Sequence, residues 1–438
     1  MWIVCLMMSL SWAGSYEDGV AALKAGDSVA ARTHLEKAVA SEPNRSAAWW
    51  ELGWARWVQE DFGGARDAWL EVKRITPDRE ELDHWLATAE AKLALKGPML
   101  SAVAVHERPD APSITLVAAG DTMMGSDLRK GARGLAPGNG ESIFADVAPL
   151  FEKADVAFLN LEGPLADGLP DRKCGPKSTA CYAFRTPTRY TAALVSAHID
   201  VASLANNHAM DLAAAGMQSS MAALDKVGIA HAGRYGDVAY VKRNGVTVAF
   251  VAAHSGTCCL NVNRLDEVTQ AIRAADAKAD LVVLSFHGGA EGARHRHVPG
   301  KTEIAWGERR GDVKALARAA VDAGADLVLG HGPHVLRAIE RYRGRLIVYS
   351  MGNFVGYRQF GTQGGYGGTS VMVEVQFAQN GALVAAKLHP VALDGTGVPH
   401  PDPSKLAHRH ILELSHADFP DQGLEIDDDG VVSWPSKK

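Results

Sequence analysis

Cysteine is scarce, five among 438 residues, and no thiolates stand at the spacings that hold zinc, so a cysteine-based metal site is excluded. No Gly-x-Ser-x-Gly turn occurs, which removes the commonest serine hydrolase. The net charge is −6, leaving no basic footprint for nucleic acid and no polybasic membrane patch. Long hydrophobic runs are also missing. The apolar opening, residues 1–14, is too short to span a bilayer and resembles the core and cleavage region of a secretory signal without its leading positive charge. Cys5 lacks the small residue before it that a lipoprotein signal requires. The expectation is an extracytoplasmic protein, periplasmic or in the cell envelope, with a buried first helix as the alternative. Cys174 and Cys181 flank a loop that a disulfide could close in such a compartment, while the adjacent Cys258 and Cys259 read as small apolar residues after a strand.

What is present is ordinary globular material, 47 % hydrophobic and 22 % charged, with length for two or three domains. Residues 15–96 are rich in Ala, Leu, Trp, Glu and Arg. A shift of 34 aligns Gly19, Ala31, Leu35, Ala38 and Pro43 with Gly53, Ala65, Trp69, Val72 and Pro77. This resembles a pair of tetratricopeptide repeats, in which small residues let two antiparallel helices pack closely. A capping helix follows over 79–95, amphipathic through Leu82, Trp85, Leu86, Ala89 and Leu93. Such a module implies a protein or peptide partner. Residues 97–113, with Pro98, Pro109 and Pro112, read as a linker.

From 114 to about 415 short apolar runs alternate with helical stretches. The runs at 114–119, 156–161, 201–205, 246–252, 281–286, 327–329 and 346–350 predict strands covered on both faces. Helices are predicted at 190–197, 216–227, 265–275 and 312–323, and a hairpin pairs 371–377 with 383–388 through a turn at Asn380-Gly381. The class is an α/β layered domain. Residues 416–438 read as an acidic, loosely ordered tail.

Five strand ends deliver metal-ligand residue types. Asp121 follows Gly120, Glu162 closes Asn160-Leu161-Glu162, and Asn206-Asn207-His208 is followed by Asp211. His287 precedes a glycine turn ending in Glu291, and Pro333 fixes the turn between His331 and His334. Open α/β folds place their ligands at the carboxyl ends of strands. Carboxylate, amide and imidazole donors held on a rigid sheet are what a two-cation hydrolytic centre needs. One histidine alone is more often structural; five independent strand ends reverse that reading. His295 and His297 follow the Glu291 loop within reach of a substrate, whereas His408 and His410 read as surface. The glycine-dense stretch 361–368 lacks the lysine of a phosphate cradle and reads as a lid or a sheet connection.

The ordered set at 118–125, 160–164, 203–211, 287–291, 324–335 and 349–354 resembles the CapA proteins of poly-γ-glutamate capsule synthesis, within the calcineurin-like metallophosphoesterase superfamily. The resemblance implies a four-layer α-β-β-α sandwich and two divalent ions, manganese, iron, zinc or cobalt. It implies Asp121 on one ion, Glu162 between both, Asn207, His287 and His331 on the second, and His334 returning to the first. His208 is implied as the proton donor, with Asp121 and Glu162 beside it in the catalytic set. Asn160, Asn206, Glu291 and Asn353 are expected to meet substrate. Many superfamily members carry a histidine two residues after the first aspartate; Met123 stands there, a poor ligand for such ions.

The expected activity is metal-activated water acting on an amide or phosphoester of an extracellular anionic polymer such as poly-γ-glutamate. A polymer-binding assembly factor in a membrane-associated synthesis complex and a metal-dependent epimerase are the alternatives.

Overall fold

The structure is a computed structural model, and it describes residues 14–59, 61–79, 81–95, 113–128, 134–174, 181–359, 365–378 and 381–434. The expected signal segment apart from Gly14, the linker apart from Ser113, Asn380, and residues 361–364 of the glycine stretch lie outside these residues. The chain divides into two units, 1–98 and 99–438.

In the first unit, helices Ser15–Lys24 and Ser28–Ser41 form one antiparallel pair, and Ser46–Val58 and Phe62–Ile75 the next. Leu82–Leu95 closes the second pair. The two repeats are equivalent down to their caps: Asp27 accepts from the Ala30 N–H and Asp61 from the Gly64 N–H, each at 2.9 Å. These N-caps satisfy donors that the first helical turn leaves open. The repeat glycines face matched apolar partners. A Cβ at Gly19 would stand 2.5 Å from the Leu35 side chain, and one at Gly53 would stand 2.1 Å from the Trp69 indole. Trp69 is fully buried and packs edge-on against Trp54, centroids 5.4 Å apart, which packs in turn against Trp85 at 4.6 Å. Gly53→Ala is therefore expected to destabilise this unit by about 1–3 kcal/mol through overpacking. Thermal unfolding followed by tryptophan fluorescence checks it; an unchanged transition would mean that the helices are free to separate.

The second unit is built on two mixed sheets. In the first, Ile114–Met123 lies beside Val156–Leu161, and Val201–Ser203 and Ala230–Ala232 continue in parallel. On its other side Thr369–Phe377, Leu383–Leu393 and Pro399–Pro401 run antiparallel, and Asn353–Gly356 adds to the end of Ile114–Met123. The second sheet runs Ile339–Tyr342, Arg345–Val348, Leu327–His331, Leu281–His287, Val246–His254, Val238–Arg243. Its four middle strands are parallel.

One apolar core lies between the sheets, joining Leu116, Phe158 and Val373 of the first to Phe250, Val283 and Leu329 of the second. Phe158 stacks on Phe250 across this layer with centroids 5.3 Å apart. A second core packs helices Thr191–Ser196 and Ala213–Lys226 on the outer face of the first sheet through Leu194, Met217 and Leu224. Helices Leu265–Asp276 and Val313–Asp322 pack on the second sheet. The expected α-β-β-α layering is what forms, because each central strand has one row of apolar side chains for the inter-sheet core and another for a helix layer.

Several local readings need correction. The segment read as a loose tail is ordered through Trp434. Phe419, Leu424 and Val432 are buried, and Glu425–Ile426 pairs with Val432–Ser433. Leu424 and Val432, spaced among acids, join the inter-sheet core, and Phe419 stacks on Tyr349 with centroids 5.5 Å apart. His408 is buried as well, its Nε2 3.0 Å from the Leu388 carbonyl oxygen. Cys258 and Cys259, read as small apolar residues, are joined to each other, although Cys259 also packs in the core. Cys174 and Cys181 form a disulfide.

Candidate metal centre

The parallel registers bring the donors into rows. His254, His287 and His331 end three adjacent strands as direct neighbours, and Asp121 pairs with Asn160 on one side and Asn353 on the other. Because the two sheets face each other, these rows meet at one rim. Asp121 is the hub. Its Oδ2 accepts from the Gly332 N–H at 3.2 Å and lies 3.2 Å from His334 Nδ1. Its Oδ1 accepts from Asn160 Nδ2 at 2.8 Å and lies 3.4 Å from His331 Nδ1 and 3.7 Å from His287 Nδ1. Glu162 Oε1 lies 3.6 Å from His334 Nε2 and 3.9 Å from His208 Nε2. Ligand atoms of Glu162, His287 and His334 all fall within 4.8 Å of one another.

Whether cations belong here is decided by the polar atoms that find no partner. Both Glu162 carboxylate oxygens, Asn207 Oδ1, His287 Nε2 and His331 Nε2 are buried without a hydrogen bond among the described residues. Orphaned buried groups cost about 1–3 kcal/mol each, so several at one point indicate missing ligation. The donors are oxygen and imidazole nitrogen, suited to divalent manganese, iron, zinc or cobalt. The residues fit the ions. Met123 takes no part: its sulfur accepts from the Gly125 N–H at 3.1 Å.

Protonation follows from the crowding. Burial pushes the Asp121 carboxyl up, but hydrogen bonds from His331 and His334 outweigh it and hold it well below the usual range. Burial, reinforced by the Asp121 charge, pushes Glu162 up to about 8. His334 resists its own burial: the Glu162 and Asp121 charges beside it raise it to about 10. Burial lowers His287 well below 6.5 and takes His254 down to about 3, with the Arg310 cation adding to both.

The metal-free cluster thus holds extra protons at neutral pH. The raised His334 contributes stability that is complete below about 6.5 and lost as pH rises through about 10. The raised Glu162 adds a cost that grows from 4.5 to about 8. Both changes weaken the metal-free fold in alkali, and a cation that replaces these protons binds better there. Added manganese is expected to raise the melting temperature more at about pH 9 than at about pH 6. Equal shifts would show that ligation releases no proton.

His208 sits at the edge of the cluster. Its Nδ1 lies 2.7 Å from Asp211 Oδ2, and its ring packs against Phe184 with centroids 4.2 Å apart. A carboxylate only accepts, so Nδ1 carries the hydrogen and Nε2 faces Glu162. Lys173 Nζ lies 2.9 Å from Asp211 Oδ1 and donates to the Asn207 carbonyl at 2.9 Å. Burial and Lys173 lower the His208 pKa against the pull of Asp211, so the ring rests neutral.

The four residues expected at substrate have these partners within the protein. Asn160 is fully buried, donating to Asp121 and accepting from Asn206 Nδ2 at 3.1 Å. Asn206 donates to the Leu161 carbonyl at 2.9 Å and accepts from the His208 N–H at 3.1 Å. Asn353 Oδ1 lies 2.9 Å from His334 Nδ1. Glu291 accepts from Trp306 Nε1 at 2.8 Å and stands 3.1 Å from Arg310 Nη2. Asn160 and Asn353 thus brace Asp121 and His334, Asn206 braces Asn160 and the His208 backbone, and Glu291 is paired with Arg310. Asn206 alone also borders the open cleft, about 490 Å³, that continues past Asn207, His254, Ser255, Thr257 and Arg309. His295 and His297 are displaced from the centre; His297 Nδ1 pairs with Asp418 at 2.7 Å.

Lys173, His254 and Arg310 belong to the surroundings of the site and escaped sequence reasoning. Of these only His254 left a signal, as the last residue of an apolar run.

A family model described as bacterial capsule synthesis protein PGA_cap matches residues 115–358, more than half of the chain and all of the ligand-bearing strand ends. The chain belongs to the PGA_cap family. Its relatives include the capsule biosynthesis protein CapA of Bacillus anthracis, 30 % identical over 58 % of this chain and 62 % of that one. The PGA biosynthesis protein CapA of Bacillus subtilis is 31 % identical over 54 % of this chain and 61 % of that one. This chain thus spans about three fifths of the length of those curated relatives. A tetratricopeptide-repeat-containing protein of Pseudomonas aeruginosa is 47 % identical over 11 % of this chain and 45 % of that one.

Proposed function

We propose that this PGA_cap chain is a metal-dependent hydrolase that trims or releases an extracellular anionic polyamide of the poly-γ-glutamate type. The observation that carries the proposal is the set of buried, unpartnered atoms on Glu162, His287 and His331, with ligand atoms of Glu162, His287 and His334 within 4.8 Å of one another and Asp121 3.4 Å and 3.7 Å from His331 and His287. Asp121, Glu162, Asn207, His287, His331 and His334 would hold the ions. Two divalent cations supply Lewis acidity, activating water and polarising the scissile group.

The chain's own residues do the rest. Asn160 and Asn353 fix Asp121 and His334, so that Nδ1 of His334 is engaged and Nε2 is presented. Asp211 orients His208, whose neutral Nε2 would take the proton given up by the attacking water and pass it to the departing group. The cleft beside Asn207 admits an extended chain, and the repeats recruit a protein partner of the synthesis machinery. The Cys174–Cys181 disulfide accords with work outside the cytoplasm. Among the described residues no helix is long and apolar enough to cross a membrane.

Metal analysis of the purified protein, with turnover of poly-γ-glutamate and of an aryl phosphate before and after chelation, tests the proposal. Chelator-sensitive shortening of the polymer is expected. Polymer bound but never shortened would replace the hydrolase with an assembly factor, and unchanged length with altered stereochemistry would replace it with an epimerase.

A further inference from the structure

His254 is buried at the rim of the metal centre yet belongs to no ligand set. It ends the strand next to His287 and lines the open cleft. Its Nδ1 lies 3.3 Å from the His287 carbonyl oxygen, which can only accept, so the ring hydrogen sits on Nδ1. Ser255 Oγ, 3.4 Å from the same nitrogen, turns a lone pair to that hydrogen. In a neutral imidazole the other nitrogen is then a bare acceptor. Among the described residues Nε2 has no partner. Gly256 keeps it open, since a Cβ there would stand 3.0 Å from Nε2.

We propose that His254 is the specificity residue of the cleft: its Nε2 accepts a hydrogen bond from an amide N–H of the bound chain beside the metal centre. A fully ionised phosphate diester offers only acceptors at that point and would face a lone pair, so the site selects polyamides. Arg309, at the cleft's outer edge, supplies a cation to the side carboxylates of the same chain. This inference rests on the reading of the cleft as a polymer site, though not on cleavage.

The test compares binding of a short γ-linked glutamyl oligomer with that of the same oligomer N-methylated at its amides, using the metal-loaded full chain. Wild type is expected to prefer the unmethylated oligomer by about tenfold, the size of one hydrogen bond on this scale. His254→Ala is expected to bind the two alike, and Gly256→Ala, which crowds Nε2 with the histidine in place, to do the same. His254→Gln, whose amide oxygen can accept, should restore part of the preference. Equal binding by wild type, no binding of either oligomer, or undiminished preference in His254→Ala overturns the assignment. So does loss of metal from His254→Ala, which would make the residue a support of the centre. Preference without cleavage would sink the hydrolase reading and leave this one standing.

Discussion

Asp121→Ala is expected to empty the centre and abolish turnover, the largest effect of any single substitution in this chain. The carboxylate meets three imidazoles within 3.7 Å and takes hydrogen bonds from Asn160 and the Gly332 backbone. Its removal leaves those imidazoles buried around a void, with Glu162 the one remaining carboxylate of the proposed ligand set to offset a cation. Outer-sphere partners of metal ligands typically cost about 10–100-fold in affinity or activity when lost, and a residue at the focus should exceed that range. Asn160→Ala, which only orients Asp121, supplies the outer-sphere comparison and should fall inside it. Metal content by elemental analysis and polymer length after incubation read both variants. A full metal complement in Asp121→Ala would remove the centre as drawn.

The second large effect belongs to His208→Asn, which should retain its metal and lose about 10²–10⁴-fold in turnover, the usual contribution of positioned proton transfer. The separation from Asp121 is the point of the experiment. His208 Nε2 stands 3.9 Å from Glu162, close enough to serve a group bound at the ions, while Nδ1 is committed to Asp211. Asp211→Asn should lower turnover less, since it weakens the orientation of the ring and leaves the ring itself. A leaving group that departs without protonation, such as an activated aryl phosphate, should be spared relative to an amide. Equal losses on both would show that His208 acts through structure.

How much of this was readable from the chain alone depends on the distance over which each signal acts. The strand at 156–161 appeared with its observed bounds, because a continuous apolar run between two polar loops is a local pattern. The repeat register was equally local, and Gly53 against Trp69 confirms its reason. The candidate ligands Asp121, Glu162, His287 and His331 were legible because each ends or directly follows such a run, and His334 because Pro333 spaces it from His331. The roles of Asn160, Asn353 and Glu291 were not, since a side chain with donors and acceptors reads the same whether it faces substrate or a neighbour. Phe419 and Leu424 were lost among acids for a related cause: two apolar residues make no period, yet they suffice to pin a segment by their burial.

The amino-acid order by itself determined the repeat pair, the alternation that builds two covered sheets, and donor residues at the strand ends. Tertiary structure alone decided that His254 stands in rank with His287, that Lys173 meets Asp211, and that burial, with Arg310 beside them, lowers His254 and His287. The physical reason is that strand and helix patterns arise from neighbours along the chain. Charge, hydrogen bonding and exposure at a buried site are set instead by strand register and by which segments pack across it.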